Sequence, residues 1–125
     1  MKDALLLIAH GSRQGEANAD LLHLADALRR SGEYVPVMAS FLELAEPNIE
    51  EGGAGCVAAG ANRIVLMPYF LSAGVHVRRD LTAARDRLAL RFPEVEFRLA
   101  EPLGRHPLLQ AIVSERVRDA LERRS

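Results

Sequence analysis

The sequence has a single cysteine, Cys56, and no tryptophan. A lone thiol excludes an intrachain disulfide and a sulfur-rich metal centre. It also fits a reducing compartment, so a cytoplasmic location is expected. Lysine is equally scarce: Lys2 is the only one, and the remaining basic charge is arginine. Arginine suits planar, two-point recognition of carboxylates. Neither sign of charge is in excess, with 16 Lys+Arg against 17 Asp+Glu and a formal net charge of −1. A protein that tracks nucleic-acid phosphates needs surplus positive charge, so nucleic acid is not an expected partner. No apolar stretch is long enough to span a bilayer. Met1 leads almost directly into a short apolar run with no basic stretch before it and no cleavage site after it. That run reads as a strand, and neither a signal peptide nor a membrane association is expected.

The chain has 125 residues, 49% of them hydrophobic and 26% charged. These values suit one globular domain over residues 1–125, able to bury roughly two thirds of its unfolded surface. Short apolar segments at 4–9, 35–41, 63–70 and 95–100 read as strands. The first and third are nearly continuous apolar runs, as for strands covered on both faces. The second and fourth are mixed, which suits sheet edges. Between them lie helical patterns. Over 16–31, Leu21, Leu24, Ala25 and Leu28 share a face and Gly32 stops the helix. Over 78–92, Leu81, Ala84 and Leu88 form the stripe and Pro93 ends it. Over 107–123, Leu109, Ile112, Val113, Val117, Ala120 and Leu121 do the same. The segment 48–60 is weaker, because Gly52, Gly53 and Gly55 each lower helix propensity by roughly 1 kcal/mol relative to Ala. The alternation predicts an α/β fold. A single three-layer domain is expected, with a four-stranded parallel sheet, right-handed crossovers and flavodoxin-like character.

Two histidines stand at the ends of the two inner strands. His10 closes Leu5–Ala9, and His76 follows the run 64–71 and the turn 72–75. Parallel strands put both at the carboxyl edge, where open α/β sheets bind ligands. The strand-to-helix loops bring more polar groups to that edge: Arg13 in the first, Glu43 and Glu46 in the second, Arg78 and Arg79 in the third, Glu101, Arg105 and His106 in the fourth. Each has a plainer reading as well. A strand-end histidine can be a satisfied structural residue, single arginines are usually solvated, and one of Glu43 and Glu46 is expected to be plain surface. His23 reads as helix surface and His106 as a loop or capping residue. A shared gap between two imidazoles suits a metal or acid-base site. No HExxH, HxH or finger spacing is present, which argues against a closed zinc site. Two histidines and a carboxylate leave coordination positions open, as a metal in transit requires. Gly11 and Gly74 let backbone approach a ligand closely. They form neither a GxGxxG fingerprint nor a Walker A loop, and GxSxG is missing around Ser12, which reads as a helix-start hydrogen-bonder.

The residues 6–13, Leu-Leu-Ile-Ala-His-Gly-Ser-Arg, resemble the opening of the small, single-domain sirohydrochlorin chelatases. So do 41–47 (Phe-Leu-Glu-Leu-Ala-Glu-Pro), 68–76 (Pro-Tyr-Phe-Leu-Ser-Ala-Gly-Val-His) with Arg79-Asp80, and 101–104 with His106-Pro107. The blocks follow one another in order over nearly the whole chain. The resemblance implies a class II chelatase fold and insertion of a divalent metal into sirohydrochlorin, a tetrapyrrole with eight carboxylate side chains. Cobalt insertion leads toward cobalamin and iron insertion toward siroheme. Nickel insertion occurs in archaeal relatives. It implies that His10 and His76 bind metal and that His10 also accepts a proton. Glu46, or Glu43 in some relatives, is then the acidic substrate contact, and Leu71, Ser72, Ala73, Gly74 and Val75 form the substrate-contacting loop. Larger relatives contain two such domains, so a homodimer with the macrocycle near the cleft between subunits is expected. The His-rich tract that some relatives carry late in the chain is missing, so storage or delivery of metal by such a tract is not expected.

On this reading Arg13, Arg78 and Arg79, with backbone N–H groups of 72–75, pair with the carboxylates of the substrate. No cofactor is expected beyond the substrate metal, Co²⁺ or Fe²⁺ with Ni²⁺ as a further candidate. Two other functions are compatible with the same edge: a metal or tetrapyrrole carrier without catalysis, and a flavodoxin-like or nucleotide-binding regulator. The absence of a phosphate loop counts against the second.

Overall fold

The computed structural model describes residues 2–123; Met1, Arg124 and Ser125, the ends of the expected 1–125 domain, lie outside the described residues. Strands and helices alternate: β1 (Ala4–Ala9), α1 (Gly15–Ser31), β2 (Val37–Phe41), α2 (Ile49–Ala58), β3 (Arg63–Pro68), α3 (Val75–Arg91), β4 (Glu96–Leu99) and α4 (Pro107–Glu122). The sheet is parallel throughout, in the order β2-β1-β3-β4, with Leu6 registered against both Met38 and Leu66. The two continuous apolar runs are thus the inner strands and the two mixed ones the edges.

The two-residue period of β1 and β3 divides the core. Leu6, Ile8, Ile64 and Leu66 face α2 and α3, meeting Ile49, Cys56, Leu81, Ala84 and Leu88. Leu5, Leu7, Val37, Ala39 and Phe41 face α1, meeting Leu21 and Ala25. Each fully buried Leu or Ile stabilises this arrangement by about 1.5–3 kcal/mol.

The glycines of α2 have a packing role that propensity alone does not reveal. A Cβ added at Gly52 would lie 2.7 Å from Leu6 Cδ1, and one at Gly53 2.7 Å from both Leu88 methyls. Both glycines are buried. The helix forgoes propensity and gains close approach to β1 and α3. Its start is strongly fixed: Asn48 Oδ1 accepts from the Glu51 N–H at 2.8 Å, and Glu51 Oε1 accepts from the Asn48 N–H at 2.9 Å. This reciprocal capping box places the first turn at Ile49, one residue inside the expected segment 48–60.

Three boundaries differ from the sequence expectation in ways that matter. β2 begins at Val37 because Pro36 has no N–H to give the ladder. β3 ends at Pro68, although Tyr69 N–H still reaches Ile8 O at 2.7 Å. α3 begins at Val75, three residues before the expected 78, with Gly74 in extended conformation as its cap. His76, Arg78 and Arg79 therefore ride on the first helical turns and not in a loop.

The largest departure is α4. Its apolar stripe forms as expected, but no residue of the helix is buried. α1 is left alone on its side of the sheet, where it covers β1 and β2. No helix among the described residues is long and apolar enough to cross a membrane.

Candidate functional site

The backbone around His10 is held by its neighbour across the sheet. Beyond the last β1 residue, Ala9 O accepts from Leu42 N–H and His10 O from Glu43 N–H, each at 2.9 Å. The chain then turns at Gly11, whose φ of 95° disfavours any side chain. A Cβ there would sit 1.8 Å from Glu43 O. The imidazole of His10 packs on the ring of Phe70, with centroids 4.5 Å apart. Phe70 is itself a core residue, 7% exposed. One face of the imidazole is thus supported while the residue remains open to solvent.

His10 looks into a cleft of about 380 Å³ between α2 and α3. Glu43, Glu50 and Asp80 bring carboxylates to it, Arg87 brings one cation, and Ile49, Val77 and Ala84 give apolar walls. Arg87 is paired to Glu50. Among the described residues Glu43 and Asp80 carry no ion pair. An imidazole beside two uncompensated carboxylates is a setting for a cation or for proton transfer. A smaller hollow of about 250 Å³ lies on the α1 side of the same histidine, lined by Ser12, Asn18, Tyr69 and Phe70.

The other expected site residues are distributed around this centre. Glu43 lines the cleft, whereas Glu46 is exposed outside it. His76 is exposed on the first turn of α3 and lines neither hollow. It stands four residues before Asp80, and so on the same helical face one turn nearer the sheet edge. No group of three His, Cys, Asp or Glu side chains among the described residues is close enough to hold a metal ion. Arg13 is exposed in the turn after β1. Arg78 is committed elsewhere: its guanidinium donates to Ala73 O at 3.1 Å and to Glu101 at 3.3 Å, tying the third loop to the fourth. Arg79 is exposed beside Val75 on a shallow surface. Leu71, Ser72 and Val75 are exposed, and Ala73 packs on the core.

Gly74 does not need to be glycine for the protomer's sake, since its φ is −73° and nothing lies within 4 Å of an added Cβ. Gly104 does, because a Cβ there would meet Leu71 O at 1.9 Å. Ser12 Oγ accepts from Gln14 N–H, and its backbone exchanges two hydrogen bonds with Asn18, so it shapes the entry to α1. His106 Nδ1 accepts from Leu108 N–H at the start of α4. Burial pushes the Cys56 thiol up to about 11, which keeps it protonated and inert at neutral pH. Sequence reasoning missed Asp80, Glu50 and Phe70 as neighbours of His10. Helical spacing from His76 would have pointed to Asp80; nothing local marks the other two.

This geometry coincides with clear relationships. The family described as CbiX matches residues 4–120. A sirohydrochlorin cobaltochelatase from Methanosarcina acetivorans is 32% identical, over 96% of this chain and 98% of its own length. A chloroplastic sirohydrochlorin ferrochelatase from Arabidopsis thaliana is 33% identical over 95% of this chain but 53% of its own length. This chain spans about half the length, or less, of several such relatives. Among solved structures, a CbiX protein of cobalamin biosynthesis from Marinobacter aquaeolei superposes with a TM-score of 0.85 at 31% identity, covering 98% of this chain and 99% of that one. The chelatase SirB from Bacillus subtilis subspecies spizizenii, in complex with cobalt, gives 0.83 at 32% identity, covering 95% of this chain and 51% of SirB. Sequence and fold agree over nearly the full length, and the chain belongs to the CbiX family.

Proposed function

We propose that this protein is a chelatase that inserts Co²⁺ or Fe²⁺ into sirohydrochlorin, serving cobalamin or siroheme synthesis in the cytoplasm as a homodimer. The observation that carries the reading is His10, supported by Phe70 at the mouth of a cleft with Glu43 and Asp80. The relatives named as sirohydrochlorin cobaltochelatase and ferrochelatase support the substrate.

Insertion exchanges two pyrrole N–H protons for one divalent cation, which sheds water as it enters the ring. His10 accepts a proton, a task for which imidazole is suited at cellular pH. His10 and His76 hand the metal to the macrocycle, and Glu43 and Asp80 attract the hydrated cation and relay protons outward. Few protein bonds to the metal keep it exchangeable, and imidazole suits Co²⁺, Fe²⁺ and Ni²⁺ alike. Arg13 and Arg79, with the exposed 71–75 loop, meet the peripheral carboxylates of the substrate. Arg78 contributes by holding that loop through Ala73 and Glu101.

The test is anaerobic mixing of protein, sirohydrochlorin and Co²⁺ or Fe²⁺, followed by absorbance with the uncatalysed rate subtracted. Catalysed insertion is expected with at least one metal. His10→Ala and His76→Ala are each expected to fall below about a tenth of wild type with unchanged circular dichroism, since removing a group that acts in the transition state lowers kcat. Tight binding of metal or tetrapyrrole without rate enhancement would make the protein a carrier instead.

A further inference from the structure

We propose that Leu44 is a substrate-binding residue, held out in a strained conformation so that its side chain meets the apolar ring of the tetrapyrrole on the β2 side of His10. The proposal deepens the chelatase reading given above and rests on it for the ligand.

The first observation is strain at the edge of the site. Among the described residues only Leu44 and Arg105 are non-glycine residues with a left-handed φ, 63° and 65°. Both stand in strand-to-helix loops at the edge that carries His10. A leucine in this region crowds its Cβ against the following carbonyl oxygen, whereas glycine adopts it freely and asparagine readily. Such outliers persist where the surroundings impose them, and they cluster at sites that bind ligands.

The second is that Leu44 does nothing for its own protomer. Phe41 N–H donates to Pro47 O at 2.9 Å, so residues 42–46 leave the end of β2 and return to it with Leu44 at their centre. The excursion is anchored on both sides of that centre. Leu42 packs on the core cluster that faces α2 and α3, and Ala45 on the one that faces α1. Leu44 joins neither cluster and is 53% exposed. A residue selected for the turn alone would be glycine or asparagine.

The third is its station. The sheet order puts the loops after β2 and β3 on either side of His10. Leu71, 66% exposed, is the apolar counterpart in the second loop. Both residues ride on fixed main chain: Glu43 O, just before Leu44, is pressed against Gly11, and Leu71 O against Gly104. The strands that carry the two loops are two spacings apart, about 10 Å. A ligand that meets both leucines must be broad and apolar, with its centre over the imidazole. A tetrapyrrole ring has this form, with carboxylates at the rim and nitrogens in the middle. A metal ion or a small anion does not.

Titration of the full chain with metal-free sirohydrochlorin, followed by the absorbance of the ligand, tests the proposal. Leu44→Asn suits the left-handed φ and removes the apolar contact. Its Kd is expected to rise about tenfold, as for the loss of a partly buried leucine, and its Tm to equal or exceed that of wild type. Leu44→Met is expected to bind within twofold of wild type. The ratio between wild type and Leu44→Asn is expected to persist at high salt, which screens charge pairing and leaves apolar contact in place. A rise in Kd below threefold, a Leu44→Met variant as weak as Leu44→Asn, or a ratio that vanishes in salt would each overturn the proposal. So would a lower Tm for Leu44→Asn, which would make Leu44 a support of the fold, or a change in its size by light scattering, which would make it a contact between copies. Binding needs no insertion. A wild type that binds sirohydrochlorin without inserting metal defeats the chelatase reading and leaves Leu44 standing, whereas one that binds no sirohydrochlorin defeats both.

Discussion

The ring of His10 rests on the ring of Phe70, with centroids 4.5 Å apart and planes tilted by 31°. Because Phe70 is fixed in the core, the contact sets where the imidazole can be. Phe70→Leu keeps an apolar core residue but loses the flat support. The expected result is a fall in kcat of about tenfold, as for a catalytic group displaced by a fraction of an ångström, with KM changed less than twofold. Steady-state kinetics on sirohydrochlorin would show it, and an unchanged kcat would mean that the stacking does not position His10.

Gly11 and Gly74 form a controlled pair. Gly11 has a left-handed φ and faces Glu43 O at a distance no Cβ tolerates. Gly11→Ala should cost about 1–3 kcal/mol in urea unfolding and displace the β1–α1 turn. Gly74→Ala meets open space at an ordinary φ and should change stability by no more than about 0.5 kcal/mol. Equal effects of the two would contradict the close approach at Gly11.

Substitution in α2 should run against helix propensity. Alanine normally stabilises a helix interior by about 1 kcal/mol over glycine. At Gly53 the added methyl meets both Leu88 methyls in a packed core, and overpacking there costs roughly 1–3 kcal/mol. Gly53→Ala is therefore expected to lower the Tm by several degrees. Gly15→Ala, at the open start of α1 with nothing within 4 Å, is expected to leave it unchanged or raise it.

Alkaline pH should reveal the buried thiol. The pKa of Cys56 is raised from 9.0 to about 11 in the folded state. Between those values the folded protein retains a proton that the unfolded chain has lost, so stability falls as pH rises through this window; below it the full contribution is present. Cys56→Ala removes that dependence. The Tm of wild type should fall more steeply than that of Cys56→Ala between about pH 9 and 11. Parallel curves would indicate that the thiol is solvated.

The parts of the fold governed by periodicity were legible in the sequence. Continuous apolar runs at β1 and β3 identified inner strands, and Gly32 and Pro93 marked helix ends. The start of α3 was not legible, because Gly74 caps it through backbone conformation with no Ser, Thr, Asp or Asn signal. The glycines of α2 looked like weakness because their value lies in contacts with Leu6 and Leu88, distant in sequence. At the site, His10 and Glu43 are visible as strand-end residues and Asp80 only through its helical spacing from His76, whereas Glu50 on α2 has no local signature. The spacing of α4 predicts an amphipathic helix, and the structure has one; what amphipathicity leaves open is which surface it serves.

At the edge where His10 stands, the loop contacts that matter run from glycine to carbonyl: Gly11 against Glu43 and Gly104 against Leu71. These two contacts are made by main chain alone, beside the side-chain ties that Phe70 and Arg78 supply. Exposed loop positions such as Arg13, Leu71 and Ser72 can then change side chain without moving the backbone on which the imidazole is mounted.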